Sequence, residues 1–327
     1  MTGAAIFGCD GTALTTGEAA FFRDADPLGF ILFARNVESP DQLRRLTSSL
    51  REAVGRDAPI LVDQEGGRVQ RLRAPHWHEH LPALDLAMQA SDPVRAMEIR
   101  FTLIAAELRA SGIDTNCAPV ADVASALTHP FLRNRCYGDD AETVSRLAMA
   151  AAKAHLAQGV LPVVKHMPGH GRATADSHRD LPTVSADRAA LEQDFAPFRA
   201  LAHLTMAMTA HIVFSAIDHR PATCSPVMID LIRNDIGFDG LLMTDDIEME
   251  ALAGSVRDRT LAAIAAGCDV VLHCNGPMAA RLQVADAAGR LTAEGDRRAQ
   301  AALDWRVEPQ AIDTGALLAE LSDLLDG

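Results

Sequence analysis

Short apolar runs alternate with longer amphipathic segments along the whole chain, and few architectures accommodate that alternation. The runs Ala4–Phe7, Gly29–Phe33, Ile60–Asp63, Asp114–Ala118, Leu161–Lys165, Ala207–Ala210, Gly240–Thr244 and Asp269–Leu272 read as strands, usually entered from a Gly, Pro or Asp. Between them the spacing predicts helices. Ser39-Pro40-Asp41 opens one that runs to about Val54, with Leu43, Leu46 and Leu50 on a common face. Others cover roughly residues 92–111, 140–158, 186–204, 225–235, 257–266 and 277–293. Gly112 and Gly159 each stand between a helix and a strand, where a helix-terminating glycine belongs. Eight strands with intervening helices predict an α/β fold, a (β/α)8 TIM-type barrel whose apolar strands are buried on both faces. An open doubly wound sheet is the alternative, but no G-x-G-x-x-G follows a strand and no P-loop appears. Without linkers, repeats or low-complexity stretches, residues 1–327 read as one domain. A helical tail begins at about Pro309, and its helix covers Thr314–Leu325.

Composition narrows the class of partner. A length of 327 residues allows one or two domains, and barrels often run ~250 residues or more as one. The apolar fraction, 48%, supports a large core and excludes a disordered chain. A formal net charge of −14 without a basic cluster argues against nucleic acid or an anionic membrane as partner. The start, Met1-Thr2-Gly3-Ala4, lacks a basic region, and Asp10 interrupts the first apolar stretch, so no secretory signal is expected. Leu201–Ile217, which includes His203 and His211, is about one residue short of the ~18 expected for a membrane span and reads as buried core. Cys9, Cys117, Cys136, Cys224, Cys268 and Cys274 are dispersed, a pattern that suits reduced thiols in a cytoplasmic protein.

Polar residues cluster after several strands, which in a barrel is the functional rim. The first cluster runs from Asp63 to Arg71 as DQEGGRVQR. Its glycines permit a tight turn, and a carboxylate with two guanidiniums can bind a polyhydroxylated ligand or form a local ion-pair network. The second, KHMPGHGRATADSH from Lys165 to His178, is the densest reactive cluster, with three His, two basic residues and one Asp. Asp176 and His178 are spaced for a carboxylate–imidazole pair in a turn, and the Asp would fix the ring tautomer during proton transfer. One reading of His170 is service to the loop backbone alone. The third cluster, Asp245-Asp246-Ile247-Glu248, ends a strand. Consecutive side chains diverge on an extended segment, so one carboxylate faces the mouth, with Asp245 the candidate, and the other serves backbone. In a fourth segment, Arg135 either binds a ligand or pairs with Asp139 or Asp140. His76, His78 and His80 around Trp77 read as a solvated loop rather than a metal site, and His211, Asn116 and Asp122 as mouth-lining or backbone-satisfying groups.

Together these segments resemble the β-N-acetylglucosaminidase branch of glycoside hydrolase family 3. The resemblance rests on Ile31–Asn36, Asp63–Arg71, Asn134–Gly138, Lys165–Gly171 with Asp176-Ser177-His178, and Thr244–Met249, in the family's order across nearly the whole chain. It implies an exo-acting, retaining enzyme that removes N-acetylglucosamine from the β-1,4 link to 1,6-anhydro-N-acetylmuramic acid in cell-wall muropeptides. It further implies Asp245 as nucleophile and His178 as general acid/base assisted by Asp176, with Asp63, Arg71, Arg135, Lys165 and His166 binding sugar. No cofactor or metal is implied, and a monomer is expected. Met167, Cys136-Tyr137 and Ile247-Glu248 depart from the commoner spelling beside these positions, which bears on aglycone preference.

Two rival readings compete with this one. A metal-dependent hydrolase would need His166, His170, Asp176, His178 and Asp245 as ligands, but the two His of H-x-x-x-H lie across Pro168-Gly169, and Lys165 would repel a dication. A non-catalytic sugar sensor would lack a nucleophile or an acid/base, and Asp245 and His178 are both present. Aromatics make up only 4% of the chain, which favours a small pocket for one sugar over an extended stacking groove.

Overall fold

The computed structural model describes residues 2–174 and 181–326; Asp176 and His178 therefore lie outside the described residues. The strands are β1 (Gly3–Gly8), β2 (Pro27–Leu32), β3 (Ile60–Val62), β4 (Thr115–Asn116), β5 (Leu161–Pro162) and β6 (Val164–Met167). They continue with β7 (Thr183–Val184), β8 (Met206–Thr209), β9 (Val213–Phe214), β10 (Leu241–Asp246) and β11 (Val270–His273). One ladder joins them in the order β5-β4-β3-β2-β1-β11-β10-β8-β6, and each pairing is parallel. Its two terminal strands are separated in the chain only by Val163. Because β5 bonds to β4 and β6 bonds to β8, one stave carries both ends of the ladder and closes it into the (β/α)8 barrel. Pro162 has no N–H for the ladder, and Val163 N bridges instead to the Asn116 and Ala118 carbonyls at 2.9 and 3.0 Å. β7 and β9 pair separately, in parallel.

The surrounding helices are α1 (Thr16–Ala25), α2 (Pro40–Val54), α3 (Ala83–Gln89), α4 (Pro93–Ala110), α5 (Pro130–Arg133) and α6 (Ala141–Ala157). The later ones are α7 (Arg188–Ala200), α8 (Pro226–Asp230), α9 (Val256–Ala266), α10 (Met278–Ala288), α11 (Ala293–Leu303) and α12 (Thr314–Asp326). Their starts are chemically marked: Ser39 and Asp92 cap helices that have Pro at the first position, and Asp140 and Asp187 cap α6 and α7. Gly112 and Gly159 adopt φ of +81° and +68°, the left-handed turn that releases the chain from α4 and α6 into the next strand.

Several details differ from expectation. The strand read over Asp114–Ala118 shrinks to Thr115–Asn116, after which a bend at Ala118-Pro119 leads Val120 to bridge Lys165. The helix read over 277–293 stops at Ala288, where Gly289 at φ +64° ends α10, and a further helix, α11, starts after the Thr292 cap. Residues 231–235 continue α8 as one wide π turn. Leu201, Leu204 and Met206–Met208 are buried core, and no helix of the described residues is long and apolar enough to cross a membrane.

The chain-entry end of the barrel is closed by two buried carboxylates. Asp114 meets Arg51 and Arg306 at 3.1 and 2.9 Å and accepts the Ile60 N–H, and Asp269 meets Arg233 and Arg298 at 2.6 and 3.0 Å. The opposite end, where strands finish, is where the polar loops gather.

Candidate active site

Two loops and one strand build a charged wall at that opposite end. β3 delivers Asp63 and, two residues on, Glu65; β6 delivers Lys165 and His166, and the turn after α5 delivers Arg135. Lys165 Nζ donates to Asp63 Oδ1 at 2.8 Å and lies 2.6 Å from Glu65 Oε1. Arg135 forks onto both Glu65 oxygens at 2.9 Å, and Arg71 Nη2 donates to Asp63 Oδ2 at 3.1 Å. Burial alone would push Asp63 up, but the Lys165 and Arg71 cations hold it well below the usual carboxylate range. Burial acts on Glu65 the same way, and Arg135 with Lys165 brings it down to about 2. Burial opposes the Lys165 charge, and the Asp63 and Glu65 carboxylates more than compensate, so it stays an ammonium. Two carboxylates therefore face three cations, all ionised.

This wall bounds a cavity of about 260 Å³, lined among others by Asp63, Arg71, Arg135, Lys165, His166 and Asp245. The volume is just below the ~300–1,000 Å³ of drug-sized ligand sites, which suits one sugar ring. The lining keeps hydrogen-bonding capacity in hand. Lys165 uses two of its three N–H donors within the described residues, and Arg71 Nε is buried without a partner among them.

The two consecutive aspartates at the end of β10 take different environments. Asp245 lines the cavity and accepts the Asp246 N–H at 2.8 Å. Burial would raise it, but His211, His166, that N–H and Lys165 together hold it below the ordinary carboxylate value, so it is anionic and able to act as a nucleophile. Asp246 instead accepts backbone N–H groups of Glu248 and Cys274 at 3.2 and 3.1 Å, and burial pushes it up to about 6.

Several partners on this wall lie far from each other in sequence. Arg135 pairs with Glu65 rather than with Asp139 or Asp140. Asp122 is fully buried and organises the histidine loop: its Oδ2 meets His166 Nδ1 at 2.7 Å, and its Oδ1 accepts His166 N–H and His170 N–H at 3.3 and 2.7 Å. That leaves His166 Nε2 turned to the cavity, 3.3 Å from Arg135 Nη2. His211 is held between Thr223 Oγ1 and the Asp246 carbonyl at 2.7 and 3.0 Å, and Asn116 bridges the Gln64 backbone and His155. Away from the cavity, His78 meets Glu107 at 2.6 Å, whereas His80, read as solvated, is 9% exposed because Gly67 and Arg100 pack the loop inward. No group of three or more His, Cys, Asp or Glu among the described residues is arranged to hold a metal ion.

Sequence reasoning did not single out Glu65 or Asp122 as organisers of the wall. For Glu65 a signal existed, since it lies on the same rim loop as Asp63. For Asp122 there was none beyond its place after a strand.

Comparison with known proteins is consistent with this geometry. The model of the glycosyl hydrolase family 3 N terminal domain matches residues 18–304. A β-hexosaminidase of Methylococcus capsulatus is 38% identical over 323 residues, covering 96% of this chain and 94% of that one. The NagZ protein of Neisseria gonorrhoeae, solved with N-trifluoroacetyl-D-glucosamine, superposes with a TM-score of 0.83 at 30% identity, over 99% of this chain and 98% of that one. A family 3 β-N-acetylglucosaminidase of Paenibacillus gives a TM-score of 0.88 at 29% identity, over 98% of this chain and 67% of that one. With a family model spanning most of its length, this chain belongs to glycosyl hydrolase family 3.

Proposed function

We propose that this family 3 β-hexosaminidase removes single non-reducing N-acetylglucosamine residues from cell-wall muropeptides, with retention, through a covalent intermediate on Asp245. The observation that carries the reading is an ionised Asp245 in a one-sugar cavity whose facing wall is a set of preorganised charged hydrogen-bonding groups. Asp63, Arg71, Arg135, Lys165 and His166 would hold the sugar hydroxyls and acetamido group. The ligand named for the Neisseria protein is an N-acylated glucosamine, which supports that sugar here.

In the first step an Asp245 oxygen attacks the anomeric carbon, the bond to the leaving oxygen breaks, and His178 gives that oxygen a proton. In the second, His178 takes a proton from water, the water oxygen bonds to the anomeric carbon, and Asp245 departs. Asp176 would orient His178. An imidazole with an ordinary pKa of ~6.5 serves both as acid and as base near neutral pH. The anhydro-muropeptide substrate, with or without peptide, places the enzyme in peptidoglycan recycling. We read it as a cytoplasmic monomer without cofactor, and without nucleic-acid or membrane partners; the dispersed cysteines and acidic charge support this.

The test is p-nitrophenol release from its β-N-acetylglucosaminide, repeated with Asp245→Ala, for which a fall of at least ~10³-fold in kcat is expected. His178→Ala should slow substrates with poor leaving groups far more than this activated one. An inactive wild type, or an Asp245→Ala variant of undiminished rate, would remove the assignment. Equal slowing of good and poor leaving groups would remove the role of His178. Mass spectrometry of an anhydro-muropeptide digest checks the natural substrate.

A further inference from the structure

One cavity residue has no part in the chemistry described so far. His170 lines the cavity alongside His166 and Asp245 and is 6% exposed. Its main chain is fixed, with the N–H donating to Asp122 Oδ1 at 2.7 Å and the carbonyl accepting from Ala173 N at 3.0 Å. Its side chain is not. Both ring nitrogens are buried, and neither has a hydrogen-bond partner among the described residues. The other buried imidazoles of the barrel mouth are served: His166 by Asp122 and Arg135, and His211 by Thr223 and the Asp246 carbonyl. His80 and His273 each leave one buried nitrogen unserved, so His170 stands apart in leaving two.

A buried imidazole without partners gives up its hydrogen bonds to water and receives none in return. An apolar side chain of similar size would fill the same space without that loss. The expense is explained if the missing partners arrive with the ligand. We propose that His170 is a substrate-contacting residue, whose imidazole hydrogen-bonds a hydroxyl of the terminal sugar; this rests on the glycosidase reading above.

The chemistry of the ring fits a hydroxyl better than a charged group. Burial, reinforced by His166 and Arg135, holds it down at about 4, so near neutral pH it carries one N–H donor and one lone pair. A hydroxyl can meet either, whereas a carboxylate would need a cation. A half-turn about Cβ–Cγ exchanges ring nitrogens with ring carbons in the same outline, so the polar edge can turn toward a ligand without repacking. The rest of the lining supplies ions; His170 supplies a neutral donor and acceptor.

The experiment compares wild type, His170→Leu and His170→Asn on p-nitrophenyl β-N-acetylglucosaminide and on its 3-, 4- and 6-deoxy analogues, with the Tm of each protein. His170→Leu should lower kcat/KM on the parent by ~10–100-fold while its Tm equals or exceeds that of the wild type. On one deoxy analogue that loss should shrink to about threefold or less, because the ring's partner is already missing. His170→Asn should recover part of the parent activity. A kcat/KM of His170→Leu within about twofold of wild type overturns the inference. So does an equal loss on the parent and every analogue, or a Tm that falls, which would mark the ring as structural. A wild type inactive on the parent overturns the glycosidase reading along with this one. An active wild type with an unimpaired His170→Leu overturns this one alone.

Discussion

Asp245 and Asp246 show how far one peptide step can separate two identical side chains. Asp245 is kept ionised by His211, His166, a backbone N–H and Lys165 acting against its burial, while Asp246 is served by two backbone N–H groups and burial wins. The consequence is a stability that depends on pH. The folded value of Asp246, about 6, lies above the ordinary 3.8, so the stabilisation its proton provides is complete below about 3.8 and lost as pH rises through 6. That difference corresponds to ~3 kcal/mol. Asp246→Asn keeps an oxygen for both N–H groups and has no charge to lose. Urea unfolding from pH 4 to 8 should therefore show the wild type losing ~2–3 kcal/mol relative to the variant, mostly between pH 4 and 6. A constant difference across the range would show that Asp246 does not titrate in the fold. The divergence of consecutive side chains is legible in a sequence, because strand geometry fixes it. The partners of Arg135 and His166 are not. Glu65 and Asp122 lie tens of residues away, and only barrel closure brings them near.

Elements were easier to read than their ends. Eight apolar runs mark the staves, because a strand buried on both faces must be apolar throughout. What escaped reading was local geometry: Val163 divides one stave between two neighbours, and α10 stops at Gly289 inside a pattern that looks continuous. The pattern of runs also leaves out helix α1, although its Thr15–Glu18 capping box is visible in the sequence. The division of labour between strand ends leads to the next prediction. Asp114, just before β4, joins α2 through Arg51, the segment after α11 through Arg306, and β3 through the Ile60 N–H. Asp114→Ala leaves that N–H unpaired. Both arginines keep Asp57 at 2.8 and 3.1 Å, so the loss should fall at the low end for a broken buried pair, ~3 kcal/mol in urea unfolding. Because Asp114 sits at the opposite end of the barrel from the cavity, kcat/KM of the folded variant should stay within about twofold of wild type. A larger drop would mean that the two barrel ends are coupled.

At the scale of the whole molecule, a net charge of −14 surrounds a site whose charges nearly cancel. Asp63, Glu65 and Asp245 face Lys165, Arg71 and Arg135, which fits a neutral ring gripped by hydrogen bonds. The lining residues run from Ile31 to Cys274, so among the described residues none after Cys274 lines the cavity. Helix α12 instead packs on α4 with no residue of its own fully buried. Arg95 forks onto Glu320 at 2.6 and 2.9 Å, and the Leu324 carbonyl accepts the Ser91 N–H at 2.9 Å. That ion pair is about two-fifths exposed on both sides, so solvent screens it and it contributes little. Leu321, Leu324 and Leu325 contribute more, by partial burial against the core. A chain truncated after Asp313 should therefore fold, melt ~2–6 °C lower, and hydrolyse the aryl glucosaminide at the full-length rate. If truncation lowers kcat/KM more than about threefold while the barrel still melts cooperatively, α12 reaches the site through α4. An unchanged rate locates the activity in the barrel, with the tail as a clasp on its outer face.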